Sequence, residues 1–235
     1  MASFNAGSFL APQVASILSQ LGADDELVVS DNGSVDGTRE RLADYALADA
    51  RVRVLDCAPT HATGKENLVA NFEHALSASN GRYVLLADQD DVWLPDRLAL
   101  TLAALQECDF VAGDAEVIDA TGRVLHQSFL RANGLARGWW RAFYRNPYLG
   151  CTIGMRRRVL AKALPFPPGL PMHDIYLGML AETFFRARLI ERPLIRYRRH
   201  GANASFASER SPYGMAERIG FRLATLRAML RVALR

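Results

Sequence analysis

The stretch that decides the fold reads Tyr83-Val84-Leu85-Leu86-Ala87-Asp88-Gln89-Asp90-Asp91-Val92-Trp93. Its apolar first half has the length and composition of a strand that is buried on both faces. Such a strand delivers Asp88, Asp90 and Asp91 to its carboxyl end, where open α/β sheets bind ligands. Three carboxylates this close repel one another unless a divalent cation lies among them, and oxygen ligands suit Mg²⁺ or Mn²⁺. The alternative interpretation is a solvated acidic turn.

A second apolar run also ends in an acidic turn. Residues 26–30 read as a buried strand, and residues 31–38 follow as turn and helix-cap residues before a helical pattern. Two such units indicate an α/β fold with a mainly parallel, doubly wound sheet and helices on both faces. Both turns would then lie along one edge of the sheet. One turn can hold a nucleoside and the other its metal-bound diphosphate.

These turns resemble those of family 2 glycosyltransferases, which have the GT-A fold. Residues 30–38 look like the nucleotide-binding turn of that family, and residues 87–93 look like its metal-binding Asp-x-Asp turn. The Asp-Gln-Asp-Asp-x-Trp form is most similar to the bacterial rhamnosyltransferase branch. Further matches to that branch are Asn67, Asn71-Phe72, Gly150-Cys151-Thr152, His173-Asp174 and Tyr197-Arg198-Arg199-His200-Gly201.

The resemblance and the composition together predict one domain and one appended helix. The resemblance covers residues 1–205, with a nucleotide-binding half at about 1–119 and an acceptor-binding half at about 120–205. The chain has 235 residues and is 50% apolar, which is enough for one sizeable core. Three cysteines without motif spacing are typical of a reducing cytosol, so we expect a cytoplasmic location. The sequence has no apolar run long enough to cross a bilayer.

Charge divides the chain into an acidic and a basic half. Residues 1–119 carry 7 Lys+Arg against 20 Asp+Glu (net −13), and residues 120–235 carry 21 against 5 (net +16). The basic half indicates an anionic partner, which can be nucleic acid, a phospholipid surface or a phosphorylated substrate. Because it lacks a known nucleic-acid motif, we do not expect nucleic acid as the partner. The acidic half needs a cation to hold a diphosphate.

The first residues of the chain look like the end of the family's first strand and the turn after it. In the family, several apolar residues precede that turn, and here they are absent. We therefore expect the first β-strand to be missing from this chain, at the cost of unpaired strand edges. Ser3 and Asn5 should lie beside Asp31.

Residues 206–235 predict a basic amphipathic helix. Ile219, Leu223, Leu226 and Leu230 form one stripe. The arginines outside it are Arg218, Arg222, Arg227, Arg231 and Arg235. The pattern suits a helix that lies on the anionic inner face of the cell membrane. The alternative is that the stripe packs on the protein's own body.

Periodicity predicts the remaining elements. Helices are expected at 8–21, 66–79, 95–105 and 174–188, strands at 51–55, 109–113 and 194–197, and a hairpin turn at 119–122. Residues 127–148 have no clean period and are either a mobile acceptor loop or an ordinary surface loop.

The resemblance implies a role for each candidate residue. Asp90 is expected to bind the metal, with Asp88 sharing it or lying near the ribose, and with His200 near the metal or the diphosphate. Asp91 is expected to support the turn or the donor sugar. The residues expected beside the base and ribose are Ser3, Asn5, Asp31 and Asn32.

Asp174 is the candidate general base for the acceptor hydroxyl. It follows a proline-rich segment and begins a predicted helix. A helix N-terminus lowers the pKa of a carboxylate, so its basicity must come from burial or from the acidic cluster. The alternative role is a helix cap.

These roles describe inverting, metal-dependent sugar transfer from a nucleotide donor. The branch resemblance implies rhamnose from dTDP-rhamnose, and the acceptor would be a lipid-linked or growing cell-surface polysaccharide. Another nucleotide hexose or N-acetylhexosamine donor is an alternative. A non-catalytic sugar-nucleotide-binding protein is an alternative of a different class.

Overall fold

The computed structural model describes residues 1–59, 63–134, 146–200 and 214–234. Its first part is a parallel sheet of β1 (Ala2–Ser3), β2 (Leu27–Asp31) and β3 (Val52–Asp56), in that order. The helices α1 (Leu10–Leu18) and α2 (Thr38–Ala48) connect these strands. Every residue of β2 is buried, as its unbroken apolar run predicts. The acidic residue that ends β2 is thereby delivered to the carboxyl edge of the sheet.

The second sheet is mixed. It contains β4 (Tyr83–Leu85), β5 (Val92–Trp93), β6 (Phe110–Ile118), β7 (Val124–His126), β8 (Gly154–Arg156) and β9 (Ala187–Arg198). The strand order is β4-β8-β6-β9-β5, and β7 forms the predicted hairpin with β6. The β6–β9 pair is parallel, whereas the other pairs are antiparallel. The α/β class is therefore confirmed, but parallel pairing does not dominate this sheet, since its strands are not joined by successive helical crossovers.

The remaining helices are α3 (Gly64–Ala78), α4 (Arg97–Glu107), α5 (Phe129–Asn133), α6 (Arg157–Ala163), α7 (His173–Phe184) and α8 (Met215–Ala233). Two clusters of buried apolar side chains form most of the core. One contains Phe72, Phe110 and Leu177, and the other contains Leu10 and Val29. The sheets and their helices thus hold the loops at the carboxyl strand ends on a packed scaffold.

Three predicted boundaries around β6 and β9 were wrong. The helix predicted at 174–188 ends at Phe184 and the strand predicted at 194–197 begins at Ala187, because the chain from Ala187 onwards pairs with β6 along nearly its whole length. The strand predicted at 109–113 runs on to Ile118, because β6 lies between β8 and β9. In each case pairing between distant segments outweighs the local pattern.

The amino end of the chain lies between the two sheets. β1 has two residues and pairs with β2, and the amino group of Met1 donates a hydrogen bond to the Val28 carbonyl at 2.6 Å. A cavity of about 560 Å³ lies beside it, lined by residues that include Leu27, Val28 and Tyr83. Within the described ranges, no hydrogen-bonded strand pair joins the two sheets.

The predicted C-terminal helix is present as α8. Its buried residues are Thr225, Ala228, Met229 and Val232, and these are not the predicted stripe. Ile219, Leu223 and Leu230 are 48%, 47% and 64% exposed. The alternative in which the stripe packs on the protein body is therefore wrong for these three residues. No helix in the described part of the chain has the length and hydropathy to cross a membrane. Arg235 and residues 201–213 lie outside the described residues.

Candidate active site

The turn after β2 is closed by its own hydrogen bonds. Asp31 is 1% exposed. Its carboxylate accepts hydrogen bonds from the backbone N–H of Ser34 at 2.9 Å and from the Ser34 hydroxyl at 2.6 Å. The same hydroxyl accepts from the backbone N–H of Asn5 at 2.8 Å, and Asn5 Oδ1 accepts from the N–H of Val35 at 2.9 Å. The turns after β1 and β2 are thereby joined into one surface.

Three buried polar atoms on this surface have no partner within the described residues. The backbone N–H of Asn32 and the side-chain Nδ2 of Asn71 both donate to the Ser3 carbonyl, at 2.8 and 3.2 Å. The Ser3 hydroxyl, Asn32 Oδ1 and Asn71 Oδ1 make no hydrogen bond in this part of the structure. Because buried polar atoms are rarely left unpaired, they indicate the position of a polar ligand.

Gln89 connects this surface to the acidic turn after β4. The backbone N–H of Phe4 donates to Gln89 Oε1, and Gln89 Nε2 donates to the Phe4 carbonyl at 2.7 Å. Gln13 of α1 donates its Nε2 to the Asp88 carbonyl at 2.5 Å. The acidic turn and the turn after β1 therefore lie side by side, although β1 and β4 belong to different sheets.

Asp90 and His200 form a contact across the site. His200 Nε2 lies 2.7 Å from Asp90 Oδ2, and the His200 ring stacks on Phe9 with ring centroids 4.9 Å apart. Arg198, at the end of β9, donates its Nε to the Asp90 carbonyl at 2.9 Å and its backbone N–H to Asp91 Oδ1 at 2.9 Å. The end of β9 thus holds the acidic turn through both Asp90 and Asp91.

Asp88 and Asp91 lie in an electrostatically unfavourable environment. Burial, with the added charges of Asp90 and Asp174, raises the pKa of Asp88 to about 7. Burial and the neighbouring carboxylates raise the pKa of Asp91 well above its usual range. Ligand atoms of Asp88, Asp91 and Cys151 lie within 4.8 Å of one another. Since burial also raises the pKa of the Cys151 thiol, that thiol stays protonated and is a poor ligand for a hard cation.

Arg97 is the buried cation behind this turn. Its side chain is 1% exposed, its Nη2 donates to the Leu86 carbonyl at 2.7 Å, and its guanidinium lies 4.1 Å from the Trp93 ring centroid. It therefore contacts residues on both sides of the acidic stretch. Burial lowers its pKa to about 10, so it remains charged at neutral pH, where it faces Asp88 and Asp91.

Asp174 lies in the first turn of α7. Its Oδ1 accepts from the Ile175 N–H at 2.6 Å and its Oδ2 from Asn146 Nδ2 at 3.3 Å. The N-cap position belongs to Met172, so Asp174 is not the N-cap residue. Burial raises the pKa of Asp174 to about 6, and its charge acts on Asp88. A carboxylate with this pKa beside the acidic turn after β4 can accept a proton at neutral pH.

His173 precedes Asp174 and is 3% exposed. Its ring stacks on Phe72 with centroids 4.0 Å apart, and neither ring nitrogen has a hydrogen-bond partner in the described chain. A Cβ on Gly150 would lie 3.0 Å from His173 Nε2, so the glycine leaves room at this nitrogen. Burial lowers the pKa of His173 to about 3, and the ring is therefore neutral.

The segment that leads into this region is fixed to α7 at Tyr148. The Tyr148 hydroxyl donates to Glu182 Oε1 at 2.8 Å, and a Cβ added to Gly178 would collide with the Tyr148 ring. Tyr148 is also packed edge-on against Phe110. Of the predicted acceptor loop, residues 135–145 lie outside the described residues.

Apart from Asp174, the predicted site residues fall into three groups. Ser3, Asn5, Asp31 and Asn32 share the first surface. Among the described residues, the expected metal set does not form one cluster, since Asp90 pairs with His200 while Asp88 groups with Asp91 and Cys151. Prediction missed further site residues, which are Asn71, Arg97, Cys151, His173 and Arg198. Asn71, Cys151, His173 and Arg198 lay in the matched motifs, whereas nothing in the sequence marks Arg97 as buried.

Comparison with known proteins gives a consistent result. A family model described as glycosyl transferase family 2 matches residues 1–164. The chain is 26% identical over 185 residues to the Escherichia coli UDP-Glc:alpha-D-GlcNAc-diphosphoundecaprenol beta-1,3-glucosyltransferase WfgD, covering 76% of this chain and 66% of WfgD. It is 22% identical over 238 residues to the dTDP-rhamnosyl transferase RfbG of Shigella flexneri, covering 94% of this chain and 81% of RfbG.

The fold also matches a solved structure. The S. aureus TarS 1-349 complex with UDP-GlcNAc superposes with a TM-score of 0.69 at 19% identity, covering 100% of this chain and 65% of that one. At this level of identity the likeness concerns the fold alone. The chain thus spans about two thirds of the length of WfgD and of TarS 1-349.

Proposed function

The chain belongs to glycosyl transferase family 2, and on that premise we propose that it transfers a sugar from a nucleoside diphosphate donor with inversion at the anomeric carbon. The observation that carries the proposal is the joining of two turns by Gln89. This contact aligns the surface of Ser3, Asn5, Asp31 and Asn32 with the acidic turn. A nucleoside on the first surface would present its diphosphate to the second.

Asp174 is the proposed general base. An acceptor hydroxyl gives its proton to Asp174 as its oxygen bonds to the anomeric carbon, and the bond from that carbon to the diphosphate oxygen breaks. The raised pKa of about 6 suits this role, since the carboxylate is ionised at neutral pH yet more basic than an exposed one. His173, neutral and unpartnered in the described chain, is suited to hydrogen-bond a sugar hydroxyl beside Gly150.

The acidic turn fits a bound Mg²⁺ or Mn²⁺. The test of fit is the chemistry of the donors, because the carboxylate oxygens of Asp90 and Asp88 suit such a cation, whereas the protonated Cys151 does not. His200, which contacts Asp90, would offer a nitrogen, a less usual ligand for either ion. Burial and the neighbouring carboxylates raise the pKa values of Asp88 and Asp91, and a bound cation would offset that unfavourable charge. When bound, the cation would offset charge on the departing diphosphate. Asp91, held by Arg198, supports the turn.

Rhamnose from dTDP-rhamnose is the proposed donor. The proposal rests on the Asp-Gln-Asp-Asp-x-Trp motif and on the similarity to RfbG, which is 22% identical. A different nucleotide hexose or N-acetylhexosamine is the second candidate, favoured by the likeness to WfgD, whose name specifies UDP-Glc, and to TarS bound to UDP-GlcNAc. Turnover of a panel of dTDP- and UDP-sugars distinguishes these donors.

The proposed acceptor is a lipid-linked or growing cell-surface polysaccharide. The support is the net charge of +16 over residues 120–235 and the diphosphoundecaprenol acceptor in the name of WfgD. We place the protein in the cytoplasm at the inner face of the cell membrane, where it contacts the anionic surface peripherally. An anionic lipid carrier and a basic acceptor half are complementary in charge.

The decisive experiment measures nucleoside diphosphate release from the donor panel with Mg²⁺, with Mn²⁺ and in excess chelator. We expect metal-dependent release for the wild type and none above background for Asp90→Asn. Asp96→Asn is the matched control, because Asp96 is exposed and forms a surface ion pair with Arg192. Full release in chelator would contradict the metal assignment. Donor binding without release under every condition would favour the non-catalytic sugar-nucleotide-binding protein instead.

A further inference from the structure

The helix α8 has two apolar faces that point in different directions. Successive residues of an α-helix are rotated by about 100°, so residues four apart fall on nearly the same face. The inner face is buried and consists of Thr225, Ala228, Met229 and Val232. The outer row shares another face and is exposed to solvent over most of its length; it consists of Met215, Ile219, Leu223, Leu230 and Leu234.

The inner face fixes the helix to the domain. α8 packs against α7, the helix that carries Asp174, and Lys162 of α6 donates its Nζ to the Val232 carbonyl at 3.4 Å. Lys65 of α3 lies over the Phe221 ring, with its Nζ 5.1 Å from the centroid. Three helices of the domain thus hold α8 in one orientation. The outer row is therefore presented as a rigid surface.

Arginines border the outer row on both sides. Arg222 lies between the inner face and the outer row, and Arg227 and Arg231 lie along the opposite border. Arg222 is partly buried, whereas Arg227 and Arg231 are exposed. Glu217 is the only acidic residue of α8. An exposed apolar row with cationic borders has the pattern of a helix that lies in a lipid interface, with its apolar side among acyl chains and its arginines at phosphate level.

We propose that the outer row and its arginines dock on an anionic phospholipid surface. The inference deepens the proposed function, on which it rests for the expectation of a membrane-borne acceptor. A second copy of the chain is the competing occupant. It is disfavoured because pairing two outer rows would bring their arginine borders together, and like charges repel. A phospholipid surface instead supplies the opposite charge and the apolar interior at once.

The test measures sedimentation of the full chain with vesicles of phosphatidylglycerol mixed with phosphatidylcholine, and with vesicles of phosphatidylcholine alone. We expect binding to the anionic vesicles and weak binding to the neutral ones. Added salt should weaken binding, since exposed charges are screened beyond about 10 Å at 0.1 M. Arg227→Gln with Arg231→Gln should weaken binding roughly 25-fold, because each arginine near such a surface contributes about fivefold.

The apolar row is tested by Ile219→Gln with Leu223→Gln, which should reduce binding by at least an order of magnitude. The matched controls are Leu47→Gln with Leu125→Gln, two exposed leucines elsewhere, and Arg188→Gln with Arg192→Gln, two exposed arginines on β9. Both controls should bind like the wild type. Circular dichroism should show all variants folded, and a row variant that unfolds overturns the proposal, because the row would then be core.

Three further outcomes would overturn it. They are a wild type that ignores anionic vesicles, row variants that bind as the controls do, and a dimer in light scattering that the row substitutions abolish. Failure of the proposed function is separable, because vesicle binding needs no donor. Sugar transfer in solution without vesicle binding removes the docking surface alone, and vesicle binding without any donor turnover removes the enzymatic role alone.

Discussion

The turns after β2 and after β4 have the same sequence pattern, but the negative charge of their carboxylates is stabilised in different ways. Each follows an apolar stretch that leads into carboxylates, at the last residue of β2 and three residues after β4. Asp31 is compensated locally, by the backbone and side chain of Ser34 three residues away. Asp88 and Asp91 have raised pKa values. Arg97, which faces them, follows in the same stretch of chain, whereas Cys151 and Arg198 come from distant segments.

The difference teaches that a carboxylate at a strand end is not by itself a metal site. A carboxylate that its own turn satisfies can shape a binding surface without a cation. A group of carboxylates whose negative charge the fold neutralises only in part attracts a cation. Removing a group that hydrogen-bonds or neutralises a carboxylate should therefore have different effects at the two turns. At the first turn it should lower local stability, and at the second it should change the chemistry that depends on charge.

The largest effect is expected for Asp174→Asn. Loss of a general base should lower kcat by roughly 10²–10⁴ while leaving donor affinity nearly unchanged. The substitution also removes a charge that raises the pKa of Asp88, and so brings the second turn closer to the compensated state of the first. Steady-state kinetics and donor titration measure both effects. Near-normal kcat would reassign Asp174 to a structural role.

Arg97→Met should break the second turn selectively. It removes the hydrogen bond to Leu86 and the buried cation beside Asp88 and Asp91, at a cost of about 3–5 kcal/mol in the free energy of unfolding. Because those carboxyls bind protons at low pH, the loss should be larger at pH 8 than at pH 5. Urea unfolding at both pH values provides the measurement.

Arg192→Met, at an exposed ion pair, is the control for Arg97 and should change stability little. Adding Asp91→Asn to Arg97→Met should recover part of the loss, since the uncompensated carboxylate is gone. Equal losses at both pH values would mean that Arg97 acts through packing alone.

Ser34→Ala should weaken the first turn by a smaller amount. It removes a hydroxyl that donates to Asp31 and accepts from Asn5, worth about 1–2 kcal/mol. Donor affinity should fall, whereas the Mn²⁺ concentration for half-maximal turnover should not move. Ser79→Ala, on a helix end away from the site, is the control. A shifted metal requirement would show that the two turns are not independent.

The smallest expected effect is a shift in pH dependence. The raised pKa of Asp174, about 6, predicts that kcat/KM falls below pH 6 as this carboxylate becomes protonated. Asn146 donates to the ionised form, so Asn146→Ala should raise the pKa and move the acidic limb upwards by less than about one unit. If the acidic limb of the pH profile does not move, or moves to lower pH, the group that titrates there is not Asp174.

The sequence predicted correctly those elements whose structure is set by residues close together in the chain. β2, its turn and the hairpin of β6 with β7 are set by neighbouring residues, and they were predicted correctly. β9 was read partly as helix because its pairing with β6 joins segments far apart in the chain. The burial of Arg97 was not predictable either, because arginine is normally exposed and its environment is assembled from both ends of the acidic turn.

Dependence on distant segments also explains why the sequence did not predict which face of α8 is buried. Its sequence contains two apolar rows, and periodicity favoured the leucine-rich one. Which row is buried depends on the surfaces of α6 and α7, which the helical pattern does not contain. The packed row is the less hydrophobic one, built of Thr225, Ala228, Met229 and Val232.

The close approach of Tyr148 to Gly178 has a consequence for engineering. Because the tyrosine ring occupies the space that a side chain at residue 178 would need, the two positions form a fixed joint between the segment before Tyr148 and α7. A chimaera that imports the preceding segment from a relative should keep its junction at Tyr148. If the imported piece includes its own residue at 148, residue 178 must come from the same relative. Positions 148 and 178 therefore have to be exchanged as a pair.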